Sequence, residues 1–98
     1  MIIRIVKLSF YQKNIPVFLD IFENSKEKIR NTQGCRLLEL YNDKYNKDVF
    51  FTYSHWNSVE DLNNYRNSDF FKEVWKSTKI LFNKKPEAWS VDKLYSSE

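Results

Sequence analysis

An α+β fold in the order β-α-β-β-α-β is predicted by three features of this 98-residue chain. Residues 2–10 alternate and are rich in Ile and Val, two later segments repeat apolar residues at helical spacing, and two central β-rich runs are joined by a polar turn too short for a crossover helix. This order is the ferredoxin-like pattern, a four-stranded antiparallel sheet with its helices on one face. Here the second helix is broken in two, and a single domain occupies residues 1–98.

The elements follow in order. After the first strand, Asn14 and Pro16 open a helix, proline being tolerated in the first turn. Its apolar face carries Phe18, Ile21, Phe22, Ser25 and Ile29, with Asp20, Glu23, Lys26, Glu27 and Arg30 opposite. Gly34, the only glycine, is placed to cap that helix. Cys35 to Tyr41 and Val49 to Ser54 read as a hairpin around Asn42 to Lys47. Ser58 with Asp61 resembles a capping box for a short helix, and Ser68 caps the next. In that third helix Phe70, Phe71, Val74, Trp75, Thr78, Leu81 and Phe82 share one face, with Lys72, Lys76 and Lys79 on the other. Pro86 stops it, and Ala88 to Tyr95 reads as the last strand.

Two helices cover only one face of a four-stranded sheet, yet the strands are apolar on both parities. Ile3 and Ile5 oppose Ile2 and Val6, and Trp89 and Val91 oppose Ala88 and Leu94. A face open to water would alternate cleanly, so a second copy is expected to cover it, giving a homodimer through the open sheet face. The composition points the same way. With 17% aromatic residues and a chain that buries only about 60% of its unfolded surface, some rings need a partner or a small aromatic ligand.

Several function classes are excluded. The single cysteine, Cys35, forms no internal disulfide, and Arg4 and Lys7 interrupt the N-terminal apolar run before a signal core develops, so a cytoplasmic setting is expected. No segment approaches the roughly 20 apolar residues of a membrane span. The charge of +3 is small and mixed, and the third strand, Lys47 to Tyr53, lacks the glycines of the RNA-recognition pattern. No nucleic-acid or membrane partner is expected. There is no phosphate loop, metal-ligand cluster or nucleophile triad, so no metal is expected and any chemistry comes from a pocket and its substrate.

The segment His55-Trp56-Asn57-Ser58-Val59-Glu60-Asp61-Leu62, followed by Tyr65-Arg66-Asn67-Ser68-Asp69-Phe70-Phe71, joins a strand end to a capped helix around one indole. In this position within the element order, Trp56-x-Ser58-x-Glu60-Asp61-Leu62 with Ser68-x-x-Phe71 resembles the antibiotic-biosynthesis monooxygenase family of dimeric α/β-barrel proteins. The resemblance spans residue 2 to about residue 95. It implies one of two chemistries: oxidation of quinol or anthrone-type aromatics with no cofactor, metal or flavin, or haem cleavage. The haem-degrading members use a first-strand asparagine, a third-strand tryptophan and a histidine as iron ligand. Carried over, these fall near Val6, at Trp56 and at Trp75. An indole cannot ligate iron, which disfavours haem cleavage by that route.

Trp56 is a pocket wall or a core plug. His55 is the best base by residue type, but alternation sends it to the face opposite Trp56. Tyr65 can hydrogen-bond a phenolic or quinone oxygen, or be a structural tyrosine. Arg66 can hold an anion or end a solvated helix. Phe71 and Trp75 belong to a helix stripe that is core by default and pocket lining if the rings leave a gap. Val6 completes the predicted substrate-binding set. The alternative to an oxygenase is a non-catalytic small-molecule-binding or stress-response protein of the same fold.

Overall fold

The computed structural model describes residues 1–98. It contains β1 (Ile2–Ser9), a 3-10 turn (Gln12–Asn14), α1 (Ile15–Arg30), β2 (Cys35–Asn42), β3 (Val49–Trp56), α2 (Val59–Arg66), α3 (Asp69–Lys79) and β4 (Glu87–Val91). The strands form one sheet in the order β2-β3-β1-β4, with every neighbouring pair antiparallel. The predicted α+β ferredoxin-like fold is therefore the observed one.

The register assigns the faces. Ile2 pairs with Trp56, Arg4 with Ser54, Val6 with Thr52 and Leu8 with Phe50, and this parity faces the helices. A bulge between Cys35 and Leu37 resets the parity of β2, so that Cys35 at one end and Leu38 further along both turn inward. On the other face lie Ile3, Ile5, Phe51, Tyr53, His55, Trp89 and Val91. Trp89 on one edge strand remains 44% exposed and Tyr41 on the other 50% exposed, large aromatic areas left open on this face.

Only 16 of the 98 residues are buried, so the core is small and divided. Leu8, Phe10, Phe18, Phe50 and Leu81 form one cluster. Ile2, Cys35, Trp56 and Leu62 form the other, at the opposite end of β1 and β3. In the first, the Phe10 and Phe18 rings stack at 4.3 Å and Phe50 packs on both.

Four local expectations change. Asn14 stands before α1 without capping it; its Nδ2 instead donates to the Leu81 carbonyl at 3.2 Å, tying the end of α3 to the start of α1. Gly34 is not the cap of α1, which ends at Arg30 with Asn31 as its C-cap. It holds φ +88° in the turn beyond, where a Cβ would collide with the Asp61 side chain, so both the backbone angle and the approach of α2 require glycine. α3 ends at Lys79, well before Pro86, because successive tight turns from Leu81 to Thr78 and from Phe82 to Lys79 bring Leu81 and Phe82 inward against Phe10. β4 stops at Val91 because its partner there, Ile3, is already near the start of β1; Leu94 and Tyr95 lie beyond the ladder, 94% and 83% exposed.

Candidate functional site

Between the sheet and the three helices lies a cavity of about 290 Å³. Its floor is the inward parity of the strands, namely Arg4, Val6 and Leu8, then Thr52, Ser54 and Trp56, with Leu38 and Ala88 at the flanks. α1 contributes Phe18, Ile21, Phe22, Ser25 and Ile29. Leu62, Tyr65 and Arg66 enter from α2, and Phe71, Val74, Trp75 and Thr78 from α3. The stripe on α3 is thus half-buried against a gap rather than sealed in a core.

The break between α2 and α3 sets the aromatic wall. Ser58 Oγ accepts from the Asp61 N–H at 3.1 Å and starts α2. Ser68 Oγ accepts from the Phe71 N–H at 3.1 Å and donates to the Tyr65 carbonyl at 2.6 Å, so one hydroxyl starts α3 and ties it to the end of α2. Tyr65 and Phe71 consequently meet edge to face at 5.0 Å. Tyr65 also stacks on Trp56 at 4.9 Å, and Phe71 lies parallel to Trp75 at 6.0 Å with only 10° between their planes. A continuous run of rings faces the cavity.

Trp56 is 1% exposed, and its Nε1 donates to Ser54 Oγ at 3.0 Å. Its one polar atom is engaged, so it presents a ring and no free donor; it is at once core and wall. Burial pushes the Tyr65 phenol well above its usual range, so its hydroxyl remains a proton donor at any ordinary pH.

Of the predicted residues, Val6, Trp56, Tyr65, Phe71 and Trp75 come together around this cavity. His55 does not. It lies on the other face, edge-on to Tyr53 at 5.0 Å, with its Nε2 buried and unpartnered. Burial and the nearby Lys93 hold its pKa below the ordinary value, against a smaller opposing pull from Glu39.

Arg4, Thr52 and Ser54 escape the sequence reading of the site. Arg4 carried a signal, since a cation between Ile2 and Val6 on the inward parity of a strand needs a reason to be there. Its Nη1 donates to Ser90 Oγ at 3.0 Å, and burial, together with the positive charge of Arg66, lowers its pKa from the usual arginine value. It remains a cation nonetheless. No three His, Cys, Asp or Glu side chains stand together as a metal site, and no helix is long and apolar enough to cross a membrane.

Comparison with known proteins places this geometry. A family model described as antibiotic biosynthesis monooxygenase matches residues 1–77. A haem oxygenase (staphylobilin-producing) of Staphylococcus epidermidis is 33% identical over 52 residues, covering 53% of this chain and 49% of the relative. The chain thus matches about half the length of that curated relative. Among solved structures, a conserved protein from Methanosarcina mazei Go1 superposes with TM-score 0.88 at 21% identity, covering 95% of this chain and 93% of the other. A protein described as an antibiotic biosynthesis monooxygenase superposes with TM-score 0.90 at 16% identity, covering 97% and 100%. At these identities the structural likeness speaks to the fold.

Proposed function

The chain belongs to the antibiotic biosynthesis monooxygenase family, and from that premise we propose that it oxidises a small aromatic, quinol-like molecule with oxygen, using no metal or flavin. The observation that carries this reading is the cavity itself, apolar and walled by Trp56, Tyr65, Phe71 and Trp75. Such a site binds a flat ring and excludes water. The electrons come from the substrate: in an anthrone-type ring the activated CH₂ becomes C=O, one oxygen atom is retained, and the other leaves as water with the two methylene hydrogens, whereas a hydroquinone gives up two electrons and two protons to become the quinone as oxygen is reduced to hydrogen peroxide. The protein's part is to favour the ionised, electron-rich form of the substrate. Tyr65, kept protonated by burial, is the donor assigned to the substrate oxygen. Val6 packs against the ring.

His55 is a poor base for this reaction, because it lies across the sheet from the cavity. The alternative reading, a binding protein without catalysis, is favoured by one observation. The only titratable groups lining the cavity are Arg4, Tyr65, Arg66 and Glu87, and Glu87 sits 3.9 Å from Lys7. A substrate acidic enough to ionise without a strong base is therefore a requirement of the oxygenase reading.

Haem, the substrate of the curated relative, fits poorly. Trp75 stands where the resemblance places the iron ligand, the only histidine is on the opposite face, and a cavity of about 290 Å³ is at the small end of the ~300–1,000 Å³ of small-molecule sites. The open face, with Ile5 between Trp89 and Tyr53, we assign to a second copy of the chain. Oxygen consumption with a panel of hydroquinones and anthrones tests the central reading. Turnover above the buffer rate is expected for at least one compound. Binding without oxygen uptake across the panel would leave the non-catalytic alternative.

A further inference from the structure

We propose that Arg4 and Arg66 form a clamp for an anionic group, so that the ligand of the cavity is an aromatic carboxylate rather than a neutral ring; this rests on the cavity being the ligand site. Arg4 projects from the inward parity of β1 and Arg66 from the last turn of α2, and both line the same cavity. Neither has a carboxylate partner, for the ion pairs of the molecule are Lys7 with Glu87 and Lys26 with Glu23. Arg4 has only the neutral Ser90 hydroxyl. Glu87, the one carboxylate among the lining residues, is drawn to Lys7 at 3.9 Å.

Arg4 is partly buried and lies within reach of the charge of the exposed Arg66, so its cation is held at a cost that a bound anion would offset. A guanidinium is suited to this, presenting paired N–H groups that match a carboxylate edge. A ring carrying that carboxylate would extend from the cations toward Phe71 and Trp75. The remaining donors of Arg4, with Ser90 already holding its Nη1, would fix which end enters.

Titration of intrinsic tryptophan fluorescence with 2-naphthoate and 2-naphthol, at neutral pH and low salt, tests the clamp. The carboxylate is expected to bind at least roughly tenfold more tightly, the factor that one charge-assisted hydrogen bond supplies. Arg4→Gln and Arg66→Gln should each remove most of that preference, by weakening naphthoate binding several-fold more than naphthol binding, whereas Arg4→Lys should retain part of it. Equal binding of the two probes, binding of neither, or an equal loss of both in the arginine variants overturns the clamp. The oxygenase reading fails separately. Oxygen uptake on neutral hydroquinones with no gain from a carboxylate sinks the clamp alone, while a carboxylate preference without oxygen uptake sinks the oxygenase alone.

Discussion

Ser54→Ala removes the partner of the buried Trp56 indole N–H, a hydrogen bond of 3.0 Å. Little volume is lost, so the cost is that of an unsatisfied donor, about 1–3 kcal/mol. For a domain of this size each kcal/mol lowers Tm by roughly 4–8 °C. Urea unfolding followed by far-UV circular dichroism measures the loss, and a double-mutant cycle assigns it. Trp56→Phe keeps a ring against Tyr65 but has no N–H, so adding Ser54→Ala in that background should cost less than about 0.5 kcal/mol. The coupling energy is then about 0.5–3 kcal/mol. If Ser54→Ala costs the same in both backgrounds, the serine acts through the cavity wall and not through the indole. If it costs almost nothing alone, the indole N–H has another partner, and Trp56 is free to turn its donor toward a ligand.

The remaining predictions concern the open face of the sheet. Light scattering should give twice 12.0 kDa for the wild-type chain, and Ile5→Glu with Trp89→Glu should give the single-chain mass; a wild-type species at 12.0 kDa refutes the assigned second copy. His55 has a folded pKa below its usual value of 6.5, so the unfolded chain takes up the proton first as the solution is acidified. Its contribution to stability is therefore intact above pH 6.5 and is lost as pH falls through that value toward the lowered folded pKa. His55→Gln should flatten the fall in unfolding free energy between neutral and mildly acidic pH, and an unchanged slope would show that His55 is not the linked group.

Much of the fold is legible because alternation and helical spacing answer to simple geometry. Strand parity alone separates His55 from Trp56, and the capping serines locate the break between α2 and α3. The ends of elements are less legible, because distant partners set them: Leu81 is turned inward through Asn14, and β4 ends where β1 has no further strand to offer. The candidate site is legible as rings and illegible as charges. Alternation puts Arg4 on the same parity as Ile2 and Val6, but only the packing of that face against the helices shows that it borders a cavity together with Arg66. Thr52 and Ser54 pass unnoticed for the same reason, since a hydroxyl on a strand has no pattern until its neighbours are known.

The division of the core into two clusters has a thermodynamic consequence. The phenylalanine cluster and the Trp56 cluster occupy opposite ends of the sheet, and the cavity borders both through Leu8 and Phe18 on one side and Trp56 and Leu62 on the other. A bound ring would touch both halves and supply the packing that the chain leaves out. Occupancy should then raise the melting temperature, through about 2.7 kcal/mol of added stability at a hundredfold excess over Kd. Hydrogen exchange in α2 and α3 would register this directly, with amides that open locally in the free protein slowing toward the global unfolding rate once the gap is filled.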